Sequence, residues 1–402
     1  MKAVVFTLGC KVNEAESASI MAALEQMGWE VDDKLSYADA YILNTCAVTR
    51  EAEKKSRQLV ARAKKFNENA GIFVCGCASE KDKDSFKARG VNFVTGAKNK
   101  QEIIDAFSAY YGKASAQMPY PKQIKTRAFV KIQDGCNNFC SYCIIPYLRG
   151  REVSRPIEDI IAEINSTTCP EIVLNGINIS SFEGGLERLI TALKGIDKRI
   201  RLGSLECSAI TDDLLGSLKG LKDFAPQFHL SLQSGSNAVL RAMNRHYTRE
   251  EYLKKCEKIY AHFPDAAITT DIIAGFATET EEDFSESLSI IEEAGFARIH
   301  AFAYSPREGT VAYKMKDIPP DIKRDRLKRL LNAGRISEEK YISRFLGTTR
   351  EIIAEECEDG YTSGYTDNYI RVYIKENLSA GKKLRVRLTE FFKDGVLAVN
   401  EG

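Results

Sequence analysis

A chain of 402 residues, 44% hydrophobic and 28% charged, has enough apolar surface for two or three domains and contains no low-complexity tract. No apolar run approaches the ~20 residues that span a bilayer, so a membrane protein is not expected. The net charge of +1 leaves whole-molecule charge silent about nucleic acid, and any such partner must be held by local patches.

The start, Met1-Lys2-Ala3-Val4-Val5-Phe6-Thr7-Leu8-Gly9-Cys10, ends like a lipoprotein signal, but its apolar core is too short. Ala3–Leu8 reads instead as a first buried strand. Further strands are expected at Ala40–Leu43, Ile72–Val74 and Asn92–Val94, with helices at Glu14–Met27, Arg50–Phe66 and Lys100–Ala109 between them. This alternation predicts an N-terminal parallel α/β domain over residues 1–112. A linker rich in Pro, Gly and small polar residues follows over 113–125. From 126 to 345 a second series places strands near 128–132, 171–174, 200–204, 228–232, 267–273 and 298–303, separated by helices. Six β/α repeats predict a partial (β/α)6 barrel with its active face at the strand C-terminal ends. After a helix at Asp321–Phe345, residues 346–402 carry short β-rich runs, Thr349–Glu355, Tyr361–Tyr365, Tyr369–Ile374, Lys383–Leu388 and Val396–Val399. They predict a small antiparallel β-barrel, so the fold class is α/β with a β-barrel tail.

The chemistry sits in the cysteines. Eleven of them without a secretion signal fit a reducing, cytoplasmic setting, where thiols bind metal and do not pair. Cys136, Cys140 and Cys143 are spaced C-x3-C-x2-C, with no fourth ligand nearby. Closed structural zinc sites take four protein ligands. Three thiolates suit a cubane iron–sulfur cluster with one iron left open, because complete clusters take four. Three buried core cysteines are the plain alternative. In the first domain Cys10, Cys46 and Cys77 each follow the C-terminal end of an expected parallel strand, where ligands of open α/β sheets bind. They predict a second cluster with an open iron; three small buried hydrophobes are the alternative. Cys75 lies two residues before Cys77 on the same strand face, and Cys77 is preferred because it occupies the turn. Cys169, Cys207, Cys256 and Cys357 share no such arrangement and read as packing residues.

The run around Cys136 is similar to the signature of radical S-adenosylmethionine enzymes. Two triads, one per α/β domain, followed by a small β-barrel, resemble their methylthiotransferase family over essentially the whole chain. The resemblance is carried by Gly9-Cys10-Lys11-Val12-Asn13, Asn44-Thr45-Cys46-Ala47-Val48-Thr49, Gly76-Cys77-Ala78 and Gly135–Pro146, with Arg149–Arg155 and His229–Ser236 also matching. The tail resembles the family's TRAM domain, an RNA-binding barrel. Lys11-Val12-Asn13 looks like the branch acting on N6-threonylcarbamoyladenosine at tRNA position 37; the isopentenyladenosine and ribosomal-protein branches differ there. Two departures stand out: Gly275-Phe276-Ala277-Thr278-Glu279 for Gly-Phe-Pro-Gly-Glu, and Asn175 where Thr or Ser is common.

The resemblance implies two 4Fe–4S clusters, one on Cys136, Cys140 and Cys143 and one on Cys10, Cys46 and Cys77. It implies two S-adenosylmethionine molecules per turnover, one giving a methyl group and one a 5′-deoxyadenosyl radical. Tyr142 would stack near the adenine and Gly176 would let the backbone approach the methionine end. Ser204, Glu206 and Gln233 would bond ribose or amino group, and Arg245 would pair with a carboxylate or phosphate. Ordinary core, turn and surface roles are the alternatives for each. The implied partners are a tRNA anticodon stem-loop, a flavodoxin- or ferredoxin-type electron donor and a sulfur source.

In the tail, Arg371, Lys375, Lys382, Lys383, Arg385 and Arg387 face a single acid, Glu376, while Glu351–Asp359 is acidic throughout its charges. Lys383, Arg385 and Arg387 should share one exposed strand face able to track phosphates. Phe391, Phe392, Tyr369 and Tyr373 are candidates for stacking on unpaired bases. The basic runs Lys122–Lys131 and Lys323–Arg329 would extend this surface toward the active-site mouth.

Overall fold

The computed structural model describes residues 1–121 and 126–402. The N-terminal unit is a five-stranded, all-parallel sheet: β1 (Lys2–Thr7), β2 (Glu30–Asp32), β3 (Ala40–Thr45), β4 (Gly71–Gly76) and β5 (Phe93–Val94), in the order β2-β1-β3-β4-β5. β3 and β4 are buried along their whole length, as parallel strands covered on both faces must be. Of the strands the sequence pattern misses β2, whose three residues show no alternation to detect, and it also misses the short helices Cys77–Lys81 and Lys83–Lys87. Helix α1 (Lys11–Gln26) starts directly at Cys10, ahead of the expected Glu14. Helix α2 (Arg50–Phe66) has the expected limits because its ends are chemically marked. Thr49 accepts from the Ala52 N–H, Glu51 and Glu53 lie in the first turn, and Lys64 and Lys65 in the last.

The central unit supplies six parallel strand positions: β6 (Arg127–Asp134), then, past the antiparallel two-residue β7 (Val153–Ser154), β8 (Glu171–Gly176), β9 (Arg199–Leu202) continued by β10 (Ser204–Leu205), β11 (Gln227–Leu230), β12 (Ala267–Ala274) and β13 (Arg298–Ala303). The strand expected at 200–204 is split at Gly203, which donates to Leu174 O at 2.7 Å. A Cβ there would stand 2.9 Å from the same carbonyl, so only glycine lets the two strands touch. The outer strand face (Ala128, Val130, Ile132, Ile172, Leu174, Ile200, Leu202) packs under the helices as one core. The arc stays open between β6 and β13, giving a partial barrel.

The tail closes into a five-stranded barrel of β14 (Thr349–Glu358), β15 (Tyr361–Thr366), β16 (Arg371–Ile374), β17 (Lys383–Phe392) and β18 (Gly395–Asn400), in the order β14-β15-β16-β18-β17. One pair departs from the expected antiparallel pattern: β16 and β18 run parallel, which closes the barrel.

This barrel docks on the N-terminal ends of the central strands, opposite the mouth. Arg201, 1% exposed at its side chain, holds Glu171 through Nε at 2.8 Å and Nη2 at 3.3 Å, and also donates to the carbonyls of Thr366 and Asp367. Arg127 pairs with Glu355 and Arg199 with Glu351. Two acids of the tail's acidic stretch, Glu351 and Glu355, are therefore used at this joint, while Glu356, Glu358 and Asp359 stay exposed. Removing one partner of a buried ion pair leaves an uncompensated charge. Because Arg127 Nε also holds Glu171 at 3.0 Å, Arg201→Met leaves Glu171 one cation and is expected to cost about 1.5–3 kcal/mol, read as a lower urea midpoint in equilibrium unfolding.

Candidate active site

The mouth is built where two sets of strand C-terminal ends meet. Cys136 lies just past β6, in a loop whose shape is forced by Gly135 at φ +73, where a Cβ would stand 2.0 Å from Arg151 O. Cys136 N–H donates to Gly150 O at 3.1 Å and Cys143 N–H to Cys140 O at 2.9 Å. From the far side, Ser141 N–H donates to Met243 O at 3.0 Å, and Asn244 Nδ2 donates to the carbonyls of Asn138 and Phe139 at 3.2 Å each. The loop is therefore held before any ligand arrives.

Arg245 closes over this loop. Its Nη1 reaches Cys140 Sγ at 3.3 Å and Glu206 Oε1 at 3.0 Å, and its Nη2 reaches Glu206 Oε2 at 2.6 Å. Asn138 Nδ2 also donates to Glu206 Oε1 at 3.2 Å. Beside them lies a cavity of about 180 Å³ lined by polar groups that include Asn138, Asn178, Ser180, Glu206, Arg245 and Tyr247. Glu206 and Arg245, both chosen from the sequence, are thus brought together. Tyr142 neighbours Cys140 and Arg245 but packs edge-on against Phe276, with centroids 6.4 Å apart, outside the cavity lining. Gly176 meets Gln133 O and Ile179, so close packing alone requires a glycine there. Ser204 is exposed, opposite His229. Gln233, at φ +70, bonds the β12 backbone through Asp271 and Ile273. Asn138, Asn178, Ser180 and Tyr247 escaped the sequence reading, because small polar loop residues carry no pattern of their own.

Cys46 and Cys77 follow β3 and β4 directly and Cys10 follows β1 after Leu8 and Gly9, at the switch point of the doubly wound sheet. Cys46 feels the charge of Cys77 and Cys10, and Cys77 that of Cys10. Cys75 is fully buried inside β4 and packs with Ala3, Val5 and Phe73 in a different core from Cys77. Cys169, Cys207 and Cys256 lie in hydrophobic cores or beside them as expected, but Cys357 is exposed on the barrel. Burial pushes the thiols up, Cys46 and Cys136 to about 11 and Cys143 to about 12, with neighbouring thiolates adding to the rise. Such thiols stay protonated until a cation compensates them, and a bound metal deprotonates a coordinating thiol outright. Among the described residues no three His, Cys, Asp or Glu side chains close on a single metal ion. Cubane clusters seat each thiolate on a different iron, so spread triads suit them better than one ion.

Arg149 joins the two triads. It is 1% exposed at its side chain and ends the short helix Ile145–Arg149 just after Cys143. Its Nη1 donates to Glu16 Oε1 at 2.9 Å and to both Asp134 oxygens at 3.1 Å, and its Nη2 to Asn13 Oδ1 at 2.9 Å. Glu16 also receives Lys131 at 3.1 Å and Lys100 at 3.5 Å. Against the cost of burial, these three cations hold Glu16 far below the usual carboxylate range. Asn13 in turn donates to Leu8 O and Thr45 O, at the roots of Cys10 and Cys46. Asn175 donates to Lys11 O at 3.2 Å, which gives that departure from the family pattern a structural task.

An open cysteine loop at the mouth of a partial parallel barrel defines a radical S-adenosylmethionine enzyme, and residues 130–291 match the family model of the Radical SAM superfamily. Residues 2–96 match that of the Uncharacterized protein family UPF0004. The chain is 37% identical to the threonylcarbamoyladenosine tRNA methylthiotransferase of Chlamydia pneumoniae, over 97% of this chain and 96% of the relative. It is 35% identical to that of Bacillus subtilis, covering 95% and 92%. It is also 35% identical to a tRNA-2-methylthio-N(6)-dimethylallyladenosine synthase of a Thermoanaerobacter strain, covering 96% and 89%. The chain belongs to the methylthiotransferase family of radical S-adenosylmethionine enzymes, which use two 4Fe–4S clusters and S-adenosylmethionine. Among solved structures, the radical S-adenosylmethionine methyltransferase TsrM of Kitasatospora setae superposes with a TM-score of 0.55 at 11% identity, covering 76% of this chain and 73% of that one. At that identity the likeness is one of fold.

The two neighbouring cysteines give a direct test. Cys77→Ser is expected to lower the iron of anaerobically reconstituted protein from about eight per chain to about four. Cys75→Ser is expected to leave it at about eight, with both read by iron and sulfide analysis.

Proposed function

We propose that this protein replaces the C2 hydrogen of N6-threonylcarbamoyladenosine at tRNA position 37 with a methylthio group, in the cytoplasm. The observation that supports this best is the joining of two cysteine triads through Arg149, in a chain matching threonylcarbamoyladenosine tRNA methylthiotransferases over 95–98% of its length. Cys136, Cys140 and Cys143 hold one 4Fe–4S cluster, and Cys10, Cys46 and Cys77 hold the other. When bound, the first cluster supplies the electron for reductive cleavage of S-adenosylmethionine, and the second presents sulfur.

The protein groups bind and orient. Glu206, locked by Arg245, offers carboxylate oxygens to the ribose or amino group of the cofactor, with Asn138 and Ser180 beside it. Tyr142, Gly176, Ser204 and Gln233 complete the proposed contact set from neighbouring strand ends and loops. The division into residues 1–112, a linker 113–125, 126–345 and a TRAM barrel 346–402 belongs to the same proposal. So do a flavodoxin- or ferredoxin-type donor and a separate sulfur source. No helix among the described residues is long and apolar enough to cross a membrane.

The barrel is the proposed grip on the anticodon stem-loop. Lys383, Arg385 and Arg387 are exposed on alternate positions of β17, with Leu384, Val386 and Leu388 buried between them. Of the aromatic candidates only Phe391 is well exposed, at 46%. Tyr369 is turned inward, stacked on Tyr365 beneath Arg201, and Tyr373 is buried against Asp394. Phe392 packs between Tyr361 and Tyr373. Base stacking by the barrel therefore rests on Phe391. The expected basic extension also changes. Lys122–Lys125 lie outside the described residues, Lys131 is tied to Glu16 and Asp134, and Lys323 and Arg326 are buried in ion pairs.

The 35% identity to a dimethylallyladenosine synthase supports a second reading, in which the substrate is the isopentenyl nucleoside. Mass spectrometry of tRNA nucleosides from a deletion strain separates the two. Loss of 2-methylthio-N6-threonylcarbamoyladenosine alone is expected; loss of the isopentenyl form instead selects the second reading. For the barrel, Lys382→Ala and Arg385→Ala are each expected to lower the slope of log affinity against log salt by about 0.7–1 in stem-loop binding. An unchanged slope would sink the phosphate-tracking role.

A further inference from the structure

Two arginines in this molecule are built alike. Arg245 is gripped by both oxygens of Glu206 and places Nη1 3.3 Å from Cys140 Sγ in the C-x3-C-x2-C loop. Arg149 is gripped by both oxygens of Glu16, at 2.9 and 3.3 Å, with Asp134 and Asn13 on its remaining Nη contacts. Its Nε is buried and has no partner, although every other donor of the fork is used. The guanidinium also lies against the Cys77 thiol. A buried N–H left without an acceptor is costly, and the architecture around this one is otherwise saturated.

We infer that Arg149 Nε–H is kept for a sulfur atom of the cluster on Cys10, Cys46 and Cys77, the Cys77 thiolate foremost. The central unit thereby supplies the hydrogen bond that sets the reduction potential of a cluster carried by the N-terminal unit. N–H donors and fixed positive charge favour the more negative, reduced state of an iron–sulfur cluster and so raise its potential. Glu16, with Lys100 and Lys131 behind it, holds the arginine where it stands, so docking of the two units and tuning of the cluster are one event. Arg149 is a positioning residue in this role. The inference rests on the proposed function only in that the N-terminal triad holds an iron–sulfur cluster; it is independent of which nucleoside is the substrate.

The test is an EPR-monitored redox titration of the anaerobically reconstituted full-length protein. S-adenosylmethionine is added so that the signal of the Cys136–Cys140–Cys143 cluster separates from the other. Iron is counted first: about four per chain in the wild type overturns the second-cluster reading itself, apart from any role of Arg149. Arg149→Lys keeps the positive charge toward Glu16 but loses the planar fork and its Nε donor. At the wild-type midpoint of the N-terminal cluster, the reduced fraction is expected to fall from one half to below about one tenth, with the other cluster unmoved. A wild-type midpoint in Arg149→Lys shows that charge alone suffices and overturns the inference, as does an equal shift of both clusters. Should Arg149→Lys not take up its full iron, Glu16→Gln carries the test. It leaves every arginine donor in place but loosens their anchor, and it is expected to shift the same midpoint by a smaller step; no shift overturns the inference.

Discussion

The contact on which the rest of this molecule depends is the buried pairing of Arg149 with Glu16. One comes from the turn after the cysteine loop of the central unit, the other from the second turn of the first helix. Neither charge could be buried alone, because an isolated ion in a low-dielectric interior carries a desolvation cost of several kcal/mol. Together, with Lys100, Lys131, Asp134 and Asn13 around them, they form a network at the joint in which the Arg149 Nη donors are all used and Nε is left over. An apolar joint of the same size would also bury surface, but without fixing register. A planar guanidinium held at both nitrogens sets distance and angle, and both cysteine triads inherit that geometry.

The same economy of charge governs the thiols. Burial raises Cys46, Cys136 and Cys143 well above the ordinary thiol range. The nearest cations are Arg149, with Lys100 behind it, toward Cys77 and Arg245 beside Cys140. Iron would supply the remaining positive charge. Loading iron must then displace the protons of these thiols, so metal uptake is coupled to pH.

The position of the tail barrel places a physical constraint on RNA binding. It sits at the N-terminal ends of the central strands, while the cysteines sit at the C-terminal ends beneath the N-terminal unit. In the proposed mode of binding, an anticodon stem-loop held by the barrel would have to run along the flank of the central unit to bring its base to the mouth. Docking shapes the charge of the barrel as well. Its acids Glu351 and Glu355 face Arg199 and Arg127, Lys383 reaches across to Asp223 at 2.6 Å and Arg387 pairs with Glu401 at 3.1 Å, while Arg385 stays exposed between them on β17.

Much of this was legible in the sequence. Buried parallel strands announced themselves as apolar runs, and α2 announced its ends through Thr49, Glu51 and Lys64–Lys65. The cysteine spacings named the chemistry, because ligand number and spacing are local properties of the chain. Residue patterns also picked out Glu206 and Arg245, but not that they would grip one another. Cys77 was already preferred over Cys75 from its place after the strand, and the sheet added that the two pack in different cores. Tyr369 and Tyr373 looked like stacking platforms until docking and Asp394 turned them inward. The tertiary structure alone decided the partnership of Arg149 with Glu16, 133 residues apart. It alone also set the barrel at the far end from the mouth. Sequence pattern reports which side chains a segment offers to its own neighbours. Desolvation, ion pairing and the sharing of a buried acceptor depend on which distant segments meet, and only the folded chain settles that.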